Sequence, residues 1–170
     1  MRLVPCILFV LGAVASSPSA QAPPDFSGTW TMDLTRSDAA AQGLPIGPVT
    51  VVIHQAPGEV RIETTRDGKT DVLTYLPVAM RSGATSPRTG SFRWEGAALV
   101  TNFATHINNQ AVTFEEIRSL NAERSEMTVE LTLVVQHGYT TDASPVARSS
   151  GAPNVSKGTN VFVRAAHPIK

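Results

Sequence analysis

In run after run between Phe26 and Ala166, apolar residues recur at every second position. This period of two constrains the chain more than any other feature. Alternation of this kind sends successive side chains to opposite faces of a pleated strand, whereas a helix needs apolar residues three or four apart. Met127, Val129, Leu131, Leu133 and Val135 make the cleanest run. Phe26, Gly28, Trp30, Met32 and Leu34 make another, with Ser27, Thr29, Thr31 and Asp33 on the opposite face.

Turn signals separate these runs and set the order of strands. Val49, Val51 and Ile53 alternate up to Ala56-Pro57-Gly58, and Val60, Ile62 and Thr64 up to Asp67-Gly68, a strong hairpin signal. Lys69 to Leu76 then returns, and Pro77 ends it. Val78 to Gly90, with Gly83, Pro87 and Gly90, reads as loop with at most one short edge strand. Ser91 to Trp94 pairs through Glu95-Gly96 with Ala97 to Ile107, Asn108-Asn109 turns the chain into Ala111 to Leu120, and Met127 to Val135 follows. Thr159 to Ala166 is the last strand. One helical turn, capped by Ser37 or Asp38 and running through Ala39 to Gln42, is the only helix the pattern supports.

Strands joined in succession by tight turns predict an all-β domain, an antiparallel up-and-down β-barrel of about 8–10 strands. Closure removes exposed sheet edges and requires the first and last strands to meet. His137 to Gly158, rich in Ser, Thr, Gly, Ala, Pro and Asn, is expected to be a long mobile loop or a flap, at the barrel end opposite Trp30.

Met1 to Ala22 reads as a secretory signal: Arg2 is the charged start, Leu3 to Ala15 an apolar run too short to span a bilayer, and small residues follow. Cleavage fits after Ala15, Ala20 or Ala22, which leaves residues 23–170 as one barrel domain and predicts a secreted or periplasmic protein. Cys6, the single cysteine, lies inside that run, so the mature chain has no disulfide and depends on its core. Lys plus Arg and Asp plus Glu each total 14, and losing Arg2 leaves 13 against 14. A balance so near zero gives no electrostatic footprint for nucleic acid or an anionic membrane.

Phe26-Ser27-Gly28-Thr29-Trp30 resembles the opening strand of the calycin superfamily, the lipocalins and fatty-acid-binding proteins, in which Gly-x-Trp lies on the first strand. The resemblance implies that a late arginine, here Arg164, packs across Trp30 beside Gly28 and closes the barrel. The stretch Asp25 to Ser37 is also similar to the start of a group of small exported bacterial proteins of unestablished activity. Departures are plain: the chain ends too soon for the lipocalin helix, and Arg164 is followed by Ala165 and Ala166 where fatty-acid-binding proteins use Arg-x-Tyr to hold a carboxylate.

The residues offer no catalytic constellation. His54, His106, His137 and His167 stand in no metal-ligand spacing, Ser27 lies outside a Gly-x-Ser-x-Gly elbow, and no phosphate loop or cofactor motif is present. Asn154-Val155-Ser156 is a formal glycosylation acceptor. Glu115 and Glu116 interrupt an apolar strand. Parity places Glu116 and Arg118 on the Val112 and Phe114 face, lining a cavity, unless a bulge at Glu115 or Glu116 resets the register and turns Ile117 inward.

A barrel with only 6% aromatic residues has little with which to fill itself. The expected function is binding of a small hydrophobic or amphipathic ligand by a monomer, without enzymatic activity; a packed structural or accessory domain is the alternative. The expected cavity residues are Val51, Ile62, Leu99, Phe103, Val112, Phe114, Leu131 and Leu133, with Glu116 or Arg118 as polar anchor. A cavity of about 300 Å³ or more separates the two readings.

Overall fold

The computed structural model describes residues 22–38, 48–80, 88–107, 110–136 and 152–166. Nine strands among these residues close into one barrel: β1 (Gly28–Met32), β2 (Val49–Ala56), β3 (Glu59–Arg66), β4 (Lys69–Pro77), β5 (Thr89–Glu95), β6 (Ala98–Ile107), β7 (Gln110–Leu120), β8 (Glu126–Val135) and β9 (Asn154–Arg164). Each strand pairs with its neighbours in sequence, and β9 closes on β1 with Trp30 opposite Arg164. The all-β barrel expected from the alternation is therefore present.

An odd strand count carries a topological consequence. Nine strands that each reversed the last would bring β9 back parallel to β1, yet the two pair antiparallel. The odd step is absorbed at β4 and β5, which run parallel, with Tyr75 opposite Gly90 and Pro77 opposite Phe92. The up-and-down order expected from successive hairpins thus holds everywhere except at this seam. After β4 the chain makes a 3-10 turn, Val78–Met80, and must travel back along the barrel before β5 begins at Thr89. Thr89 and Gly90, expected to be loop, belong to that strand.

Two further expectations are corrected. The last strand begins at Asn154, not Thr159, because Asn154 to Gly158 pair with Val135 to Leu131 despite their polar composition. Residues 137–151 lie outside the described residues, as do 1–21, which hold most of the expected signal, and 39–42 of the expected helical turn. Asp38 is in 3-10 conformation at the start of that expected turn; the Ser37 hydroxyl accepts Val161 N–H at 3.0 Å and the Asp38 carboxylate accepts Thr159 N–H at 2.8 Å, so both also hold β9 beyond the end of β1. Leu34 turns outward, since the chain leaves the sheet after Met32.

One end of the barrel is packed solid. Phe26, Trp30, Ile53, Val60 and Leu99 are each buried to within 1% of full burial there. The indole N–H of Trp30 donates to the Phe26 carbonyl at 3.0 Å, so the polar edge of the largest core side chain is satisfied. Gln55 ties the lead-in segment down, its carboxamide oxygen accepting from Phe26 N–H and its nitrogen donating to Pro24 O. Trp94 extends the plug, its ring centroid 6.0 Å from that of Phe26 and 6.4 Å from that of Phe92.

Arg164 lies across the indole of Trp30, its guanidinium carbon 4.2 Å from the ring centroid, as the calycin resemblance implies. Its Nη1 donates to Ser27 O at 2.7 Å and its Nε to Arg124 O at 2.9 Å. Gly28 makes this possible: its φ is +133°, and a Cβ there would stand 2.7 Å from Arg164 Nη1.

Candidate functional site

Toward the other end the barrel opens into a lumen of about 700 Å³, within the range of small-molecule sites. A second cavity of about 650 Å³ shares part of its wall, including Leu73, Tyr75, Phe114 and Glu116, and reaches the β3–β4 hairpin at Arg66 to Thr70. No bulge interrupts β7: its pairing with β6 and β8 runs unbroken from Leu120 to Val112. Period two therefore sends Val112, Phe114, Glu116 and Arg118 to the same inner face, and the bulge alternative is excluded.

Val51, Ile62, Phe114, Glu116, Arg118, Leu131 and Leu133 line the larger cavity, and Phe103 lines the smaller one, where its ring packs 6.4 Å from that of Phe114. Leu99 and Val112 do not line either. Leu99 is fully buried in the packed end beside Arg118 on the neighbouring strand, and Val112 is buried in the wall next to Thr105 and Val135. Gly28, Trp30 and Arg164 stand at the packed end, as described above.

Polar side chains converge on one buried level of this lumen, apart from the exposed Asp38, Arg66 and Lys157 that also line it. Arg118 is 4% exposed, two residues from the end of β7 at the packed side. One terminal nitrogen donates to Thr101 Oγ1 at 2.6 Å and the other to Glu116 Oε2 in an ion pair. The remaining donor, Arg118 Nε, is buried without a hydrogen-bond partner among the described residues. An unmatched donor on a charged group is costly in a folded interior, and natural sites that keep one commonly use it.

Tyr75 completes the cluster from β4, two strands away from Thr101, and was not legible as a site residue in the sequence. It is 3% exposed, and burial pushes its phenol up to about 12; the Glu116 carboxylate adds to this, while Arg118 and the Thr101 hydroxyl oppose it. The phenol therefore stays protonated at neutral pH, available as a donor. Its ring fits because Gly90, its partner across the parallel seam, has no side chain: a Cβ there would lie 2.5 Å from both the Tyr75 ring and the Asn102 carbonyl.

His54 and His106 take no part in this, and His137 and His167 lie outside the described residues. His54 and His106 are exposed, and His54 lies 3.5 Å from Glu63 on the outer surface. Among the described residues no three of His, Cys, Asp and Glu gather into a metal-binding group, and no helix is long and apolar enough to cross a membrane.

An all-β barrel, plugged at one end and holding a buried polar cluster in its lumen, is what the fold and site define. No known family pattern and no curated protein matches the chain in sequence. Among solved structures it is similar to a REP1-NXSQ fatty acid transporter, at 12% identity over 83% of this chain and 96% of that one, TM-score 0.41. It is also similar to a fatty acid-binding protein of Drosophila melanogaster brain tissue, at 15% identity over 82% and 99%, TM-score 0.38. A zebrafish ileal bile acid-binding protein complexed with cholic acid matches at 8% identity over 82% and 98%, TM-score 0.39. Likeness this distant says nothing of what this chain binds.

Proposed function

We propose that this protein is an exported, monomeric binding protein for a small hydrophobic or amphipathic molecule. One observation carries the reading: a lumen of about 700 Å³ lined by Val51, Ile62, Leu73, Phe114, Leu131 and Leu133, with Tyr75, Thr101, Glu116 and Arg118 grouped at its packed side. Binding sites of this kind join mostly apolar walls to a few polar groups that fix orientation. A structural domain with a filled interior would need the lumen packed, and its volume speaks against that alternative. Export is supported by the charged start, apolar run and small residues of Met1 to Ala22.

Native mass spectrometry of the protein isolated from its own source tests these points together. The expected spectrum is a monomer that has lost its first 15, 20 or 22 residues and carries an additional small mass. A chain without adduct that also takes up no added apolar probe would overturn the binding reading, and a full-length chain would overturn export.

A further inference from the structure

The polar cluster is specific about the chemistry it can accept. Arg118 supplies one positive charge, and Glu116, on the same face two residues earlier, already neutralises it. Thr101 takes a second Arg118 donor, which leaves its own hydroxyl proton to be given elsewhere. Arg118 Nε–H is closed off from the lumen, so the donor that faces it is the protonated phenol of Tyr75, which lines both cavities and can both donate and accept. Glu116, which lines the cavity, is an acceptor only.

A group seated here meets a nearly neutral array that offers donors and acceptors side by side. A carboxylate would bring a second anion to a guanidinium already paired, and like charges a few ångströms apart in a poorly solvated site repel strongly. The other charges lining the lumen, Arg66, Lys157 and Asp38, are exposed, where water and salt screen them. An ether or ketone could accept from the Tyr75 phenol but could give nothing to Glu116. A hydroxyl or an amide does both.

Resting on the binding reading above, we infer that the buried head of the ligand is a neutral group that both donates and accepts hydrogen bonds, an alcohol or an amide, and not a carboxylate. Its apolar body then extends past Phe114 and Leu133 toward the β3–β4 hairpin.

Displacement of bound Nile red at neutral pH, with decanol, decyl methyl ether and decanoate as competitors, tests this. Decanol is expected to compete at a concentration about tenfold below that of its methyl ether, since the ether leaves a buried acceptor unmatched. Hydration alone already favours decanol over decanoate, so the informative quantity there is the change on Glu116→Gln. That variant frees the charge of Arg118 and should shift the decanoate-to-decanol ratio toward decanoate by about tenfold or more. An ether that competes as well as the alcohol, or a ratio unmoved by Glu116→Gln, overturns the inference while leaving the binding reading standing. Should the variant not fold, the alcohol and ether comparison on the unaltered protein decides alone. If Nile red does not bind saturably and no competitor binds, the binding reading fails and this inference with it.

Discussion

Two arginines of this barrel, Arg164 and Arg118, are held in different ways. At the packed end Arg164 lies over Trp30 and gives its donors to the carbonyls of Ser27 and Arg124, with no carboxylate in salt-bridge contact among the described residues. In the lumen Arg118 is paired with Glu116 and Thr101 and keeps one buried donor unmatched. The first arrangement uses the side chain as packing and as a cap for loose backbone ends. The second keeps a charged pair and an idle donor where an apolar core would be simpler, which is an arrangement that stability does not explain. The difference teaches that burial alone does not separate a structural charge from a functional one; the completeness of its hydrogen bonding does.

That contrast can be broken from either side. Trp30→Ala should have the largest effect, a loss of about 3–5 kcal/mol in denaturant unfolding, because it empties the centre of the plug. Arg164→Ala should cost about 1–2 kcal/mol through lost stacking and packing; a negligible change would show that the closing contact contributes nothing. Replacing the lumen pair together, Glu116→Leu with Arg118→Met, should change stability least, by nearly zero or in the stabilising direction, since similar apolar volume replaces a pair that is expensive to desolvate. A large loss of stability from that double variant would make the pair structural and erase the distinction from Arg164.

The sequence foretold the two levels unequally. Period-two alternation made the strands legible, and the spacing of Gly28 and Trp30, joined to Arg164 by the calycin resemblance, made the closed end legible as well. Glu116 and Arg118 were readable by parity, but a bulge was equally compatible with the residues, and only the unbroken pairing of β7 decides between them. Tyr75 was out of reach because its approach to Thr101 depends on the parallel β4–β5 seam, and a parallel pair is set by the path of the crossing chain and not by any local turn signal. The start of β9 was hidden for a different reason: Asn154 to Gly158 have the composition of a loop, and their strand is defined by backbone pairing to β8. Val135 and Asn154, which end β8 and begin β9, pair on the side away from Trp30.

Titration of the purified protein with Nile red, alongside a Phe114→Arg variant, tests the central claim most directly. Phe114 lines both cavities and is only half-buried, so saturable binding to the unaltered protein is expected, with loss of that binding in the variant and its thermal unfolding still cooperative. Fluorescence that rises only as the protein unfolds, or binding that survives Phe114→Arg intact, would contradict it.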